Sequence, residues 1–489
     1  MGHMKPIELS RRQIVITGAT VGGGMALGLF VPGAAHAATP DITATYSGAE
    51  AANPNEVTAW VVINPDDSIT LRCSMAEMGQ GTSTGFSMIL AEELECDWTK
   101  VTVEFPSVNR NIRENTVYKD MLTVGSRGIR SSWEFVQQAG ASARARLIQA
   151  AAARWNVPAD QCTAALSKVT HKASGKSLRY GEIAKDAAKV KLAAEPGIKP
   201  PEAWKLIGTR HPRVDSTIKS NGTAKFGIDA REQGQLYASV MSAPTFTGKV
   251  VSVDDSAIKG KRGIVGVVKL DDAVAVVADN FWRANEALKQ LKITWDGGAA
   301  AQTDSAQFRK EYRDALNAGP FVTARNDGDA KAAIAAGNAN GKKVITADYE
   351  TPYLAHCTME PCNATVHLQG DRLDVWMGSQ SALENAKMAA ELAGLKPEQV
   401  YFHQMFLGGG FGRRSFGDEL RHAVLVAKVG KIDKPLQLLW SREQDMRADR
   451  YRPQSAVRLK GSLTADGKLD ALHIESVCGS IIRSAGMGR

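Results

Sequence analysis

Glycine-rich loops are the stretches of this sequence whose composition is best suited to chemistry. The most concentrated is residues 407–414, where four glycines surround Phe411 and two arginines follow. Glycine has no Cβ, so it adopts positive φ and lets backbone N–H groups come close to an anion or a flat cofactor. The stretch therefore predicts a binding loop, with Phe411 over a small site and the arginines near a phosphate or carboxylate. A plain turn after a strand is the alternative.

The spacing within this loop excludes two common nucleotide motifs. The glycines do not follow the G-x-G-x-x-G pattern of dinucleotide-binding folds, and no Gly-Lys-Ser/Thr follows as in a P-loop. The loop must therefore be interpreted together with other loops of the chain.

Two further loops carry glycine beside polar side chains. Met78, Gly79 and Gln80 precede a segment of helical periodicity at 84–94, and a helix N-terminus offers free N–H groups to an anion. Gly125 and Ser126 precede a long alanine-rich helix predicted at 131–155. Both loops are candidate anion sites.

The elements that position these loops alternate between strand and helix patterns. A hairpin is predicted at 58–73, a compact α+β module at 201–298, a partly irregular connection at 298–341, and mixed strands and helices thereafter. The fold class expected is a multidomain α+β protein.

Composition and charge narrow the function classes. The net charge of +8 is interspersed, without a basic run, so nucleic acid is not an expected partner. The six cysteines form no C-x-x-C or iron–sulfur spacing, which leaves buried thiols or one or two disulfides. The histidines, including His356 and His403, form no zinc motif and are expected to pack or to hydrogen-bond.

The N-terminus has the pattern of an export signal. Arg11 and Arg12 precede an apolar run that ends near Val31, and Ala35-His36-Ala37 supplies a cleavage site. Paired arginines at this position predict the twin-arginine route, which exports folded proteins to the periplasm. Residues 1–37 are therefore predicted to be a signal peptide; a membrane anchor or a buried helix is the alternative.

Six motifs occur in order along the chain: Glu-Met-Gly-Gln-Gly at 77–81, Pro-Tyr-Leu-Ala-His at 352–356, Met-Glu-Pro at 359–361, Gly-Ser-Gln at 378–380, the loop at 408–414, and Trp-Ser-Arg-Glu-Gln-Asp-Met at 440–446. Taken together, they resemble those of the large, molybdenum-binding subunit of the xanthine dehydrogenase and aldehyde oxidoreductase family. The exported branch with isoquinoline 1-oxidoreductase beta subunits and membrane-associated aldehyde dehydrogenases is the most similar.

The resemblance implies a domain organisation and a cofactor. A molybdopterin-binding domain would comprise residues 38–200 and, incomplete, 299–489, with a hammerhead-like domain at 201–298 between them. The cofactor would be molybdenum with molybdopterin cytosine dinucleotide. The C-terminal part of the family fold is expected to be absent from this chain.

The resemblance also implies roles for single residues. Met78, Gly79 and Gln80 would contact the pterin, and Gly125 and Ser126 would lie along the cofactor. Gln380 would lie near the molybdenum ligands and Phe411 with Gly412 beside the metal, while Gly409 and Gly410 of the same loop would bind the cofactor. Glu77 and Glu360 are the carboxylates nearest these loops and are not assigned as a catalytic base.

One family feature is missing from the sequence. A catalytic glutamate in a Gly-Glu-Pro-like stretch near the family's C-terminus has no counterpart after residue 412. We therefore expect a fragment, one piece of a split subunit, or a chain that has lost catalysis. No catalytic residue and no protein ligand to a metal is assigned here.

The leading hypothesis is a periplasmic molybdenum hydroxylase that oxidises an aldehyde or hydroxylates an N-heteroaromatic substrate with water as oxygen source. Electrons would pass to a separate [2Fe–2S] subunit and a membrane-bound cytochrome c. One alternative is an inactive family member that serves as a binding or assembly subunit. A periplasmic carbohydrate- or peptide-binding protein, with glycine loops by chance, is the other.

Overall fold

The computed structural model describes residues 53–339 and 343–481, all within the unit that spans Pro40–Arg489. The predicted signal peptide lies outside the described residues. The strands are β1 Glu56–Thr58, β2 Val61–Ile63, β3 Ile69–Arg72, β4 Val101–Glu104, β5 Cys162–Ala165, β6 Lys168–His171, β7 Ser177–Arg179, β8 Leu236–Ser242, β9 Lys249–Asp254, β10 Ile264–Lys269, β11 Ala273–Ala278, β12 Lys292–Asp296, β13 Lys343–Thr351, β14 Asn363–Gln369, β15 Arg372–Met377, β16 Val400–Gln404, β17 Leu436–Leu439, β18 Ser455–Leu463 and β19 Leu469–Cys478.

The α-helices separate and cover these strands. They are α1 Thr82–Leu94, α2 Val108–Arg113, α3 Arg127–Arg130, α4 Trp133–Trp155, α5 Tyr180–Ala187, α6 Ser216–Ser220, α7 Phe281–Leu288, α8 Ser305–Ala318, α9 Ala330–Ala339, α10 Ala382–Ala393, α11 Asp418–Val429 and α12 Arg442–Arg447. The mixed content confirms the predicted α+β class. Within the described residues, no helix combines the length and the apolar character that crossing a bilayer requires.

The first segment is a four-stranded sheet, β1-β2-β3-β4, with α1 and α4 packed together beside it. The predicted hairpin is confirmed, because β2 and β3 pair antiparallel. Trp60 packs between Phe86, Tyr118 and Phe135, with ring centroids 5.2–5.9 Å apart. The predicted helices at 84–94 and 131–155 are α1 and α4, so both glycine loops do precede helices.

A seven-stranded sheet forms the centre of the fold, in the order β10-β11-β8-β17-β14-β15-β16. All six residues of β11 are buried, as expected for an inner strand built from valine and alanine. Strands of the predicted 201–298 module and strands of the following segment share this sheet, since β8 pairs with β17. The predicted domain boundary at 298 therefore does not separate two sheets.

A three-stranded sheet, β13-β18-β19, carries helices α8 and α9. These helices lie within the segment predicted to be a partly irregular connection, and residues 319–329 between them belong to no helix or strand. The side chain of Asp304 caps the N-terminus of α8 and accepts hydrogen bonds from the amides of Ala306 and Gln307. Phe308, Tyr312 and Leu316 recur every four residues, so the sequence of α8 does carry the apolar periodicity of a helix, which the prediction overlooked.

All six cysteines are free thiols, which favours the first of the two predicted alternatives. Four of them, Cys73, Cys96, Cys162 and Cys362, are buried, and the other two are exposed. Burial raises the pKa of the Cys73 thiol to about 12, so it remains protonated and packs as an apolar group.

The contact between α1 and α4 generates a prediction about stability. A Cβ at Gly140 of α4 would lie 2.5 Å from the carbonyl oxygen of Leu90 in α1. Gly140→Ala is expected to lower the free energy of unfolding by up to about 2 kcal/mol, because overpacking costs about 1–3 kcal/mol and exceeds the gain in helix propensity. Urea denaturation measures this loss. Gln149→Ala, on the exposed side of α4, is the control and should change stability by less than about 0.5 kcal/mol.

Candidate functional site

The loops singled out by the sequence meet at one place in the structure. The amide of Ala76 donates to the hydroxyl of Thr123 at 2.9 Å, which joins the loop around Gly79 to the loop around Gly125. The amide of Thr123 donates to the carbonyl of Gln380 at 2.8 Å, and the amide of Leu407 to the carbonyl of Glu77 at 3.2 Å. Segments more than 300 residues apart in the sequence thus form one cluster of loops.

Gln380 is the side chain that connects these loops. It is 2% exposed. Its Nε2 donates to the carbonyl of Thr123 at 2.8 Å, and its Oε1 accepts from the amide of Gly412 at 3.0 Å. Both ends of the carboxamide therefore have protein partners, and the side chain fixes the distance between Thr123 and the loop at 408–412.

Gln80 has a comparable role within its own loop. Its Nε2 donates to the carbonyl of Ala76 and its Oε1 accepts from the amide of Met78, both at 2.8 Å. The residue is exposed, and its side chain closes the turn that presents Gly79.

The loop at 408–412 requires glycine because of what surrounds it. A Cβ at Gly410 would lie 2.6 Å from both Gln380 Oε1 and Met78 Sδ, and one at Gly408 would lie 2.4 Å from the Cβ of Glu360. Gly412 has φ 101°, which side chains rarely adopt. The sequence predicted that these glycines let the backbone approach a ligand. In the structure, Gly408 and Gly410 let the loop approach other protein segments.

Three consecutive amides in this loop have no protein acceptor. Gly408 donates to Glu360 and Gly412 to Gln380. Between them, the N–H groups of residues 409, 410 and 411 donate to no atom of the described chain. These three donors are available to an anion or another hydrogen-bond acceptor.

Open space adjoins the same loops. A Cβ built on Gly79, Gly125 or Gly412 meets no protein atom within 4 Å, although all three have positive φ. Phe411 is 70% exposed, and its ring lies against Gly409. Ser126 is exposed at the start of α3 with φ 56°. The cluster is therefore open at each of these three glycines.

The first loop is not the anion site that its position before a helix suggested. The side chain of Glu77 already accepts the amides of Gly79, Gly81 and Ser83, at 2.9, 3.3 and 3.1 Å. The N-terminus of α1 is thus filled by a carboxylate of the protein itself. The expectation is corrected because periodicity predicted the helix but not the direction of the Glu77 side chain.

The two arginines of the loop also point inward. Arg414 lies 3.2 Å from the carboxylate of Glu360 and donates to its carbonyl at 2.6 Å. Arg413 lies 2.8 Å from Asp449 and 3.0 Å from Asp418. Both guanidinium groups are buried, so they pair with protein carboxylates and not with a ligand.

The histidines take hydrogen-bonding positions, as predicted. His356 lies with its Nδ1 3.0 Å from Asp449, and His403 with its Nε2 3.0 Å from Asp374. Burial and these partners act in opposite directions on Asp374: burial raises the pKa of its carboxyl, while Arg372 and His403 lower it to a net value below the ordinary one.

Several residues of the cluster were not identified from the sequence. Thr123, Arg213, Lys219 and the amide of Ile228 contact the loops or their carboxylates. Lys219 lies 142 residues from Glu77 in the sequence. Nothing in its local sequence marks it, and only the folded chain brings the two charges together.

The sequence that forms these loops matches models of a cofactor-binding domain. Two family models match, both described as a molybdopterin cofactor-binding domain, over residues 12–233 and 316–480. The second range contains the 408–412 loop and Gln380, and the first contains the loops around Gly79 and Gly125.

Two curated relatives align with almost the whole chain. The membrane-bound aldehyde dehydrogenase [pyrroloquinoline-quinone] of Gluconacetobacter polyoxogenes is 30% identical over 494 residues, with 98% of this chain covered. The isoquinoline 1-oxidoreductase subunit beta of Brevundimonas diminuta is 29% identical over 507 residues, with 96% covered. The chain spans 61% and 64% of the length of these relatives.

A solved structure, the aldehyde oxidoreductase of Desulfovibrio gigas, aligns with a TM-score of 0.42 and 17% identity. The alignment covers 61% of this chain and 38% of the other.

His422, behind the glycine loop on α11, generates a prediction about pH. Burial, partly opposed by Asp272 and Asp418, lowers its pKa from 6.5 to about 4. The unfolded chain therefore binds more protons than the folded one between these values, and stability falls as the pH is lowered. We expect His422 to contribute about 2 kcal/mol to the loss of stability between pH 7 and pH 5.

His422→Gln should make the dependence of the urea midpoint on pH less steep by that amount. His367→Gln, at a half-exposed position in β14, is the matched control and should leave the dependence unchanged. An equal slope in the His422 variant and the wild type would contradict this assignment.

Proposed function

We propose, given that the chain belongs to the molybdenum hydroxylase large-subunit family, that its loop cluster binds a molybdenum–molybdopterin cofactor for the oxidation of a small organic substrate. The observation that carries the proposal is the set of open amides at 409–411, beside the empty space next to Gly79, Gly125 and Gly412. A pterin dinucleotide presents phosphate oxygens and ring heteroatoms that accept hydrogen bonds from such amides.

The residues of the cluster suit this group in kind. Amides of residues 409–411 bind acceptor atoms, and Phe411 offers an exposed ring beside them. Gln380 and Gln80 hold the loops and use their carboxamides on the protein. When bound, the cofactor supplies the redox chemistry that places a hydroxyl from water on a carbon atom and releases two electrons.

The general base for this reaction is proposed to lie outside the described loops. Glu77 and Glu360 are both buried, and each accepts several hydrogen bonds. A base must reach the reacting proton, and both carboxylates are buried and hydrogen-bonded to the loops. We propose that residues 1–489 alone do not turn over substrate.

The finer identity of cofactor, substrate and partners is proposed from the relatives. An aldehyde or an N-heteroaromatic ring is the proposed substrate class, and the cytosine dinucleotide form the proposed cofactor. The name of the Gluconacetobacter relative contains pyrroloquinoline-quinone, but both family models that match this chain describe molybdopterin binding, so molybdopterin is the cofactor proposed. A [2Fe–2S] subunit and a cytochrome c are the proposed electron acceptors.

A binding or assembly subunit without catalysis is the second candidate. It is favoured by the engaged state of both loop carboxylates. The two candidates differ in one measurement, because a purified complex that contains molybdenum but oxidises neither aldehydes nor N-heteroaromatics supports the second.

Cofactor retention tests the main proposal. The chain is co-produced with its partner subunits in a host that makes the cofactor, and molybdenum and released cytidine monophosphate are measured per chain. Gly410→Ala should lower both at least about tenfold, because its Cβ would contact Gln380 and separate the loops.

Gly370→Ala provides the matched control. Gly370 has φ 56° in the turn between β14 and β15, and a Cβ there meets no atom within 4 Å, so alanine strains the backbone away from the loops without disturbing them. It should retain the cofactor as the wild type does. A wild-type complex without molybdenum would contradict the proposal.

Export by the twin-arginine route is proposed from the N-terminal sequence, whose residues lie outside those described. Arg11→Lys with Arg12→Lys should keep the protein in the cytoplasm, because this route depends on the arginine pair. Fractionation followed by immunoblotting measures the distribution. Recovery of the double variant from the periplasm would contradict the route.

A further inference from the structure

We propose that Glu77 and Glu360 are positioning residues, which hold the two glycine loops through the connecting segment 213–229 and keep the 409–411 amides free. The inference rests on the proposed function only for the identity of the ligand. The arrangement of charges and hydrogen bonds that carries it belongs to the protein itself.

Glu77 is the first of the two positioning carboxylates, with no exposed surface. Besides the amides of its own loop, it accepts from the guanidinium of Arg213 at 3.0 Å and the ammonium of Lys219 at 3.2 Å. The amide contacts fix the turn around Gly79, and the two cations tie that turn to the connecting segment.

Asp215 completes this cluster. It lies 2.6 Å from Arg213 and 2.5 Å from Lys219. Burial raises the pKa of its carboxyl, but the two cations lower it by more, so the net pKa lies below the ordinary one. Two carboxylates and two cations make the cluster neutral, which is the condition for burying charge at low cost, whereas removing one member leaves an uncompensated charge.

The connecting segment also contacts Phe406, the residue that precedes the 407–412 loop. The amide of Phe406 donates to the carbonyl of Lys225 at 3.2 Å, and the ammonium of Lys219 lies 4.9 Å from the centre of the Phe406 ring. Lys219 therefore contacts both sides, with its charge on Glu77 and over the residue that leads into the 407–412 loop.

Glu360 is the second positioning carboxylate and acts on the loop itself. It accepts from the amide of Gly408 at 2.7 Å and from the amide of Ile228, in the connecting segment, at 2.9 Å. Asn363 donates to it at 2.9 Å, and Arg414 balances its charge at 3.2 Å. Gly227 lets the segment approach, since a Cβ there would lie 2.8 Å from Asn363.

These contacts explain which amides remain free. The amide of Gly408 donates to Glu360 and that of Gly412 to Gln380, while the amides of the loop around Gly79 donate to Glu77. An anionic ligand therefore finds donors at 409–411 and not at the N-terminus of α1. Removing a positioning charge should loosen the loops and weaken ligand binding without unfolding the chain.

The test compares three variants of the full chain. Glu77→Gln gives the cluster an excess positive charge, Lys219→Met gives it an excess negative charge, and the double variant is neutral again. Hydrogen exchange, measured by mass spectrometry on cofactor-free chain from molybdenum-free medium, reports the order of residues 77–86 and 404–414. Each single variant should exchange at least about tenfold faster there, and the double variant should recover part of the protection.

Cofactor content of the complex supplies the second readout. Each single variant should retain less molybdenum than the wild type, and the double variant more than either. Lys310→Met removes a 79% exposed lysine of α8 and is the matched control, with no change expected in either readout. If Glu77→Gln does not fold, Lys219→Met alone still decides the result.

The outcomes separate this inference from the proposed function. Unchanged exchange in both single variants, or a double variant no better protected than either, would overturn the positioning role. A wild-type complex without molybdenum would overturn the proposed function, while the exchange comparison on cofactor-free chain would still decide this inference.

Discussion

The need to satisfy buried backbone amides governs this structure. Loops made of glycine have no side chains of their own to shield or pair their N–H groups, and an unpaired buried amide is costly. Here Glu77, Glu360 and Gln380 accept most of these amides. The amides at 409–411 have no protein acceptor, so they are the donors that remain for a ligand. The site is defined by which donors the protein does not use.

A second constraint follows, because carboxylates that accept amides inside the fold must be neutralised. Arg213 and Lys219 do this for Glu77, and Arg414 does it for Glu360. The conspicuous arginine after the glycine loop is thus explained by protein charge balance. Positive groups beside a glycine loop do not by themselves indicate a phosphate ligand, since a carboxylate can lie behind the loop as easily as in front of it.

Much of the fold was predictable because local patterns report it. The helices after the first two loops, the hairpin at 58–73 and the α+β class all follow from periodicity and turn residues. Helices α8 and α9 were missed although Phe308, Tyr312 and Leu316 of α8 recur at helical spacing, because alanine, asparagine and aspartate dominate the segment around them. The shared sheet of β8 and β17 was also missed, since strand pairing between segments almost 200 residues apart leaves no trace in either.

For the site, the sequence alone determined which loops are rich in glycine and which family the chain belongs to, because glycine and glutamine at fixed spacing are visible without a structure. Only the tertiary structure decided where the side chains point. In the folded chain, Glu77 accepts from an amide at the N-terminus of α1, and Arg414 pairs with the buried Glu360. Lys219 contacts both Glu77 and the ring of Phe406. The physical reason is that hydrogen bonds and ion pairs depend on positions within a few ångströms, which segments far apart in sequence reach only after folding.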